Sequence, residues 1–297
     1  MIFHIGEAGL SLFVSAKKTI RCSHIGLSRK WKNLNLFLTI VSIACLCAIT
    51  LGVVLALRLE HPWLQPWAVV RAVVQLAILT VILNGVISNG WFVLAFLLIM
   101  ALAATWVIYR RLRVSAHYLP FLFGTVAVSS AVPMLIVFST GGVVFTPRYL
   151  LAVGGIIIGN AMTVSTLMGR SLGALLVSQR DELEAWLSVG ATPRRSAQRA
   201  VRSAASTALI PSTDQTRTTG IVTLPGAFVG AVFAGASPLQ AAEFQMVVLA
   251  AILAAGALTV ASFTWMFGAP VLLPLVESPL GRVSVARQDA ARQDAPR

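Results

Sequence analysis

Long apolar runs with almost no charge recur along this chain, and they constrain its fold more than any other feature. The first extends from Leu36 to Leu57 without a charged side chain. Others occupy about Trp67–Ile87, Trp91–Ile108, Leu119–Phe138, Tyr149–Met168, Thr219–Ala236 and Ala241–Phe267. About 20 apolar residues in an α-helix rise ~30 Å, the thickness of a bilayer's hydrocarbon core. Backbone amides in hydrocarbon must bond to one another, which leaves helices or closed barrels. Continuous apolar runs, without strand-like alternation, select helices. The expected fold is all-α: a polytopic integral membrane protein with about seven transmembrane helices.

Composition agrees. The chain is 57% hydrophobic and only 11% charged, against ~25% charged in soluble proteins. A net charge of +13 would suggest nucleic acid in a soluble chain. Here Lys and Arg lie mostly between apolar runs and form no aromatic-plus-basic platform, so nucleic acid is not an expected partner. Basic loops stay cytoplasmic. Arg110, Arg111 and Arg113 follow the third run, and Arg170, Arg180, Arg194, Arg195, Arg199 and Arg202 follow the fifth; further arginines occupy the tail and flank the first linker. All fall on one side of a seven-span chain, with Arg148 the exception on the other. The basic arm of residues 1–35 conflicts with this topology, which puts it outside. It resembles the start of a signal peptide, but the run after it exceeds the ~7–15 residues of a signal core and reads as a retained helix. The permease domain is expected over 36–269, with a polar, disordered tail over 270–297. Cys22, Cys45 and Cys47 show no ligand spacing, and the four histidines are scattered, so no metal site is assigned.

Residues 170–210 form the one long charged segment between apolar runs. Leu172, Leu175, Leu176, Leu183, Trp186 and Leu187 recur at helical spacing, interrupted by Gln179. They predict an amphipathic helix of about five turns. Gly190 predicts its stop, Thr192 the cap and Pro193 the first position of a second helix bearing Arg194, Arg195, Arg199 and Arg202. An interfacial helix on lipid headgroups is the plain reading. A docking hairpin for a soluble partner is the sharper one. Glu184-Ala185, then Gly190, then Leu209-Ile210-Pro211 resembles the coupling loop of ABC-transporter permeases.

A more specific resemblance rests on four strings: GGIIIGNAM (Gly154–Met162), LSVGATPRRSA (Leu187–Ala197), ALIPSTDQTRTTGIVTLPG (Ala208–Gly226) and FAGASPLQAAEFQ (Phe233–Gln245). In order and spacing they resemble the FetB/YbbM-type permeases, a family that includes bacterial iron exporters and plant aluminium-tolerance transporters. Ala227-Phe228-Val229-Gly230 departs from it, since members typically carry a Met-Met run there. The resemblance implies a homodimeric ABC exporter subunit in the bacterial inner membrane, with a metal-ion substrate, iron first. It also implies a separate ABC ATPase docking at Glu182, Glu184, Trp186, Gly190, Ala191, Thr192 and Pro193.

The chain itself is not expected to be an enzyme. A Walker A loop needs Lys after Gly, and the only lysines, Lys17, Lys18, Lys30 and Lys32, do not follow one. No cofactor is expected here, with ATP on the partner subunit, and no catalytic residue is assigned. Polar residues within spans mark packing bonds or substrate paths. Asn160, Thr163, Asp214, Arg217 and Glu243 are the candidates for a path; the plain alternatives are an interhelical bond for Asn160 and a local Asp214–Arg217 pair. Three competing readings are a transporter or channel independent of an ATPase, an ABC permease for a non-metal substrate, and a non-transporting membrane scaffold or receptor.

Overall fold

The computed structural model describes residues 38–58, 63–86 and 90–268. The basic arm and the polar tail lie outside the described residues. The helices are α1 (Leu38–Ala56), α2 (Leu64–Val86), α3 (Gly90–Leu112), α4 (Leu119–Ser139), α5 (Pro147–Ser178), α6 (Arg180–Ser188), α7 (Pro193–Ser196), α8 (Gln198–Thr218), α9 (Gly226–Phe233) and α10 (Pro238–Phe267). A short 3₁₀ turn, Ala116–Tyr118, precedes α4. The chain divides into two units, 1–83 and 84–297. The first holds α1 and most of α2; the bundle from α3 to α10 forms the second. Five helices are long and apolar enough to cross a membrane: α1, α3, α4 joined to its 3₁₀ turn, α5 and α10; Leu64–Thr80 is a shorter apolar stretch.

In the second unit α5 is central and packs on α3, α4, α8 and α10. Its start is specified locally. Pro147 fits the first turn, where its missing N–H is not needed, and the Thr146 hydroxyl accepts the Tyr149 amide. At the start of α10, Ser237 and Gln240 form a capping box ahead of Pro238. Lipid tails are as apolar as leucine, so close packing rather than water exclusion holds such helices together. Glycines on α5 serve this. A Cβ on Gly154 would meet Leu97 Cδ2 at 2.8 Å, and one on Gly169 would meet Leu112 at 2.6 Å. At the basic end, Phe121, Phe263, Phe267 and Tyr118 stack between α4 and α10. At the other end Tyr149 meets Phe244, ring centroids 5.3 Å apart.

The sixth span departs from expectation. Thr219–Ala236 is not one helix: residues 219–225 form a turn around Gly220, at φ 85°, and only Gly226–Phe233 is helical. The helix beside α5 and α10 is α8, drawn from the segment expected to lie outside the bilayer. It places Ala200, Ala204, Ala208 and Ser212 inward at four-residue spacing, the small-residue pattern that lets membrane helices approach closely. Its other faces are polar, so hydropathy does not find it. α8 also runs through Pro211, where the chain was expected only to re-enter the bilayer.

Candidate functional site: the hairpin at the basic end and the cleft beside Asn160

The segment 170–210 is built differently from the expected pair of helices. Its first part is the end of α5, which continues to Ser178 and breaks at Gln179 (φ −105°, ψ 21°) before α6. The apolar stripe survives the break: Leu172, Leu176 and Leu183 are all buried. Gly190 then stops α6 as expected. At φ 84° it donates to the Leu187 carbonyl (3.0 Å), and Ala191 donates to the Trp186 carbonyl (3.0 Å). These two bonds make a Schellman motif, which favours glycine because its backbone is left-handed. Thr192 sits at the N-cap of α7 and Pro193 at its first position, but the Thr192 side chain makes no capping bond. The second helix is likewise split, at Ala197, into α7 and α8.

Three contacts fix this hairpin to the bundle. The Arg194 guanidinium donates to the Trp265 carbonyl near the end of α10 (2.9 Å). Arg199 on α8 lies 3.5 Å from Glu182 on α6. Leu183 is buried in the core shared with α3, α5 and α8. Glu184 is turned to Arg180 (2.7 Å); its hydrogen bond and charge raise the Arg180 pKa above its ordinary value. Around the turn, Trp186, Leu187 and Val189 remain exposed at 48%, 40% and 76%. The hairpin thus offers an apolar knob at the tip of a braced support.

The path candidates do not converge. Asn160 and Thr163 line a cleft of about 280 Å³ between α5, α8 and α10, with Ala208, Pro211, Ser212 and Gln215 on its α8 wall. Asn160 donates from Nδ2 to the Ile252 carbonyl (3.0 Å) and accepts at Oδ1 from Ser212 Oγ (2.8 Å). It therefore ties three helices at one level, as the plain reading of this residue expected. Thr163 bonds back to the Gly159 carbonyl. Asp214 and Arg217 are exposed on another face of α8, and the local pair expected between them does not form. Glu243 is exposed near the start of α10, towards the non-basic end. Ser212, which lines the cleft with Gln215, was missed by sequence reasoning. Its four-residue offset from Ala208 would have found it once α8 was read as a packed helix. Among the described residues no three His, Cys, Asp or Glu side chains are grouped to hold a metal ion. The cleft's polar atoms are amide and hydroxyl groups, which suit a hard cation or its hydration shell better than a soft one.

No solved structure matches the chain. Among known proteins, it is 30% identical over 195 residues to the probable iron export permease protein FetB of Escherichia coli K12, covering 65% of this chain and 75% of that one. It is 34% identical over 218 residues to the rice membrane protein STAR2, covering 72% and 75% of the two chains. It is 31% identical over 229 residues to ALUMINUM SENSITIVE 3 of Arabidopsis thaliana, covering 74% and 82%. A family model described as "Uncharacterised protein family (UPF0014)" matches residues 37–271. With its apolar helices and this match over most of its length, the chain is an integral membrane protein belonging to the UPF0014 family.

Proposed function

We propose that this chain is the membrane-spanning permease subunit of an ABC exporter of metal ions, iron first, working as two copies driven by a separate ATPase subunit. The observation that carries the reading is the braced hairpin at the basic end. A coupling element must be stiff enough to transmit a rigid-body displacement and must present something for a partner to grip. The Schellman turn at Gly190 and the Arg194–Trp265 contact supply stiffness; Trp186, Leu187 and Val189 supply the grip. Glu182, Ala191, Thr192 and Pro193 frame that knob, with Glu184 held by Arg180. The excess of Arg in the loops at this end favours a cytoplasmic side, where an ATPase would be. The FetB resemblance supports iron as the first substrate to test.

A route from hairpin to cleft is present in the chain itself. α8 runs unbroken from Gln198 beside the hairpin to Ser212 and Gln215 at the cleft. Pro211 lacks the amide that would bond the Thr207 carbonyl, which makes a natural flexing point one residue from the Asn160–Ser212 bond. A displacement of the hairpin would tilt α8 there and change the cleft's width. Asn160 and Thr163 are proposed as path residues on this ground.

The test is capture of the ATPase on the full-length chain. An ABC ATPase should co-purify with the wild type, and Gly190→Pro should abolish capture, because proline cannot adopt φ 84° or donate to Leu187. Capture unchanged by Gly190→Pro would refute the coupling role. For the substrate, a deletion strain under iron load should accumulate iron; unchanged metal content would remove iron.

A further inference from the structure

The exposed face of α8 lies too deep for lipid. Asn160 is ~20 Å along α5 from Pro147, and Ile252 ~21 Å along α10 from Pro238, at ~1.5 Å per residue. The contact between Tyr149 and Phe244 shows that these two helix starts share one end of the bundle. Ser212 is bonded to Asn160 and so shares its depth. Asp214 is then ~17 Å and Arg217 ~12 Å below that end, within a hydrocarbon core ~30 Å thick. Both are exposed, and neither has an ion-pair partner among the described residues. Charged side chains at such depth face protein or a water-filled cavity, and they pair.

The pattern on this face specifies the partner. Ser203, Thr207, Ile210, Asp214 and Arg217 are all exposed, and their spacing of four and three alternates as along the seam of a helix pair. Two opposite charges three residues apart make the seam self-complementary. We infer that this face of α8 is the contact between two copies of this chain, with Asp214 of each copy paired to Arg217 of the other. The two copies insert with the same orientation, so the two-fold axis runs along the membrane normal and the α8 helices lie parallel. Both side chains lean towards the N-terminus, and the longer Arg217 side chain reaches back across the ~4.5 Å of rise between the two positions to the opposite Asp214. Gln215, beside Asp214, also lines the cleft, so the cleft borders the contact. The inference deepens the transport reading, which calls for two copies but not for this face.

The experiment uses differently tagged full-length copies co-expressed in membranes. Wild-type copies should capture one another. Asp214→Arg alone sets four cations against each other, and Arg217→Asp alone sets four anions; each should reduce self-capture at least about tenfold. Mixed, the Arg/Arg copy and the Asp/Asp copy restore both pairs, so hetero-capture should return to near the wild-type level. A pair confined to one helix would gain nothing from mixing, and failure of the mixture while both copies accumulate in the membrane would overturn the inference. Should either copy not accumulate, cross-linking decides. In a chain with Cys22, Cys45 and Cys47 changed to Ser, Ile210→Cys should oxidise to a disulfide-linked dimer, whereas Trp106→Cys, exposed on α3, should not. Absence of the Ile210→Cys dimer would overturn the inference as well. ATPase capture through Gly190 reports on the transport reading separately, so either can fall without the other.

Discussion

Replacing Asn160 should loosen three helices at one point. Asn160→Leu removes the bond donated to the Ile252 carbonyl (3.0 Å) and the bond accepted from Ser212 Oγ (2.8 Å). Interhelical hydrogen bonds in a bilayer average ~0.6 kcal/mol and reach ~1.7, because the unfolded chain in the membrane also finds partners. Two bonds therefore set a loss between ~1.2 and ~3.4 kcal/mol. Both partners have fallbacks. The Ile252 carbonyl keeps its place in the α10 ladder, and the Ser212 hydroxyl can turn back to the Ala208 carbonyl, as Thr216 Oγ1 does to Ser212. The lower half of the range follows, ~1.2 to 2.3 kcal/mol. The assay is an SDS titration of the full-length chain in mixed micelles, read by tryptophan fluorescence, for Asn160→Leu, Ser212→Ala and the double variant. The double variant should be less damaged than the sum of the singles by ~0.6 kcal/mol or more. Losses that add within ~0.3 kcal/mol would mean that no bond couples the two residues and that Asn160 does not clamp α8.

Two further outcomes test the packing and the hairpin knob. Gly154→Val should destabilise the bundle by ~1 to 3 kcal/mol in the same titration, since even one added carbon meets Leu97 at 2.8 Å and Met134 at 3.1 Å; no loss would mean that α3 and α5 do not pack this closely. Val189→Asp, at 76% exposure, should leave the unfolding midpoint within ~0.5 kcal/mol of wild type while reducing ATPase capture; capture at the wild-type level would remove the apolar tip from the contact.

The parts of the fold that face lipid were legible in the sequence, because hydropathy reports contact with lipid. Leu36–Leu57 anticipated α1, and Trp91–Ile108 and Ala241–Phe267 anticipated α3 and α10 to within four residues at each end. Gly190 was legible for a different reason: a left-handed residue after a helical stripe has few substitutes for glycine. The break at Gln179 was not legible. A single residue leaving the helix there keeps Leu176 and Leu183 on one face, so the seven-residue period runs across the break unchanged. The chemical type of the Asn160 contact was legible from an amide inside an apolar run, but Ile252 and Ser212 as its partners depend on tertiary register that no local pattern carries.

α8 shows why the helix beside α5 and α10 was misplaced in the sequence reading, and what that misplacement means. A window of hydropathy treats depth in the membrane and contact with lipid as one property. They coincide for a helix with a lipid-facing side, such as α3, whose Phe92, Leu98, Ile99, Leu102 and Trp106 are exposed. They separate for a helix that touches protein on one side and something polar on the other. α8 reaches the depth of Asn160, yet shows lipid little beyond Ile210 among serines, threonines and charges. Dehydrating Asp214 and Arg217 against lipid would cost ~2.5 to 3.5 kcal/mol each by insertion scales. The polarity that hid α8 from hydropathy is what the proposed place of this helix, between two copies and beside a transport path, would require.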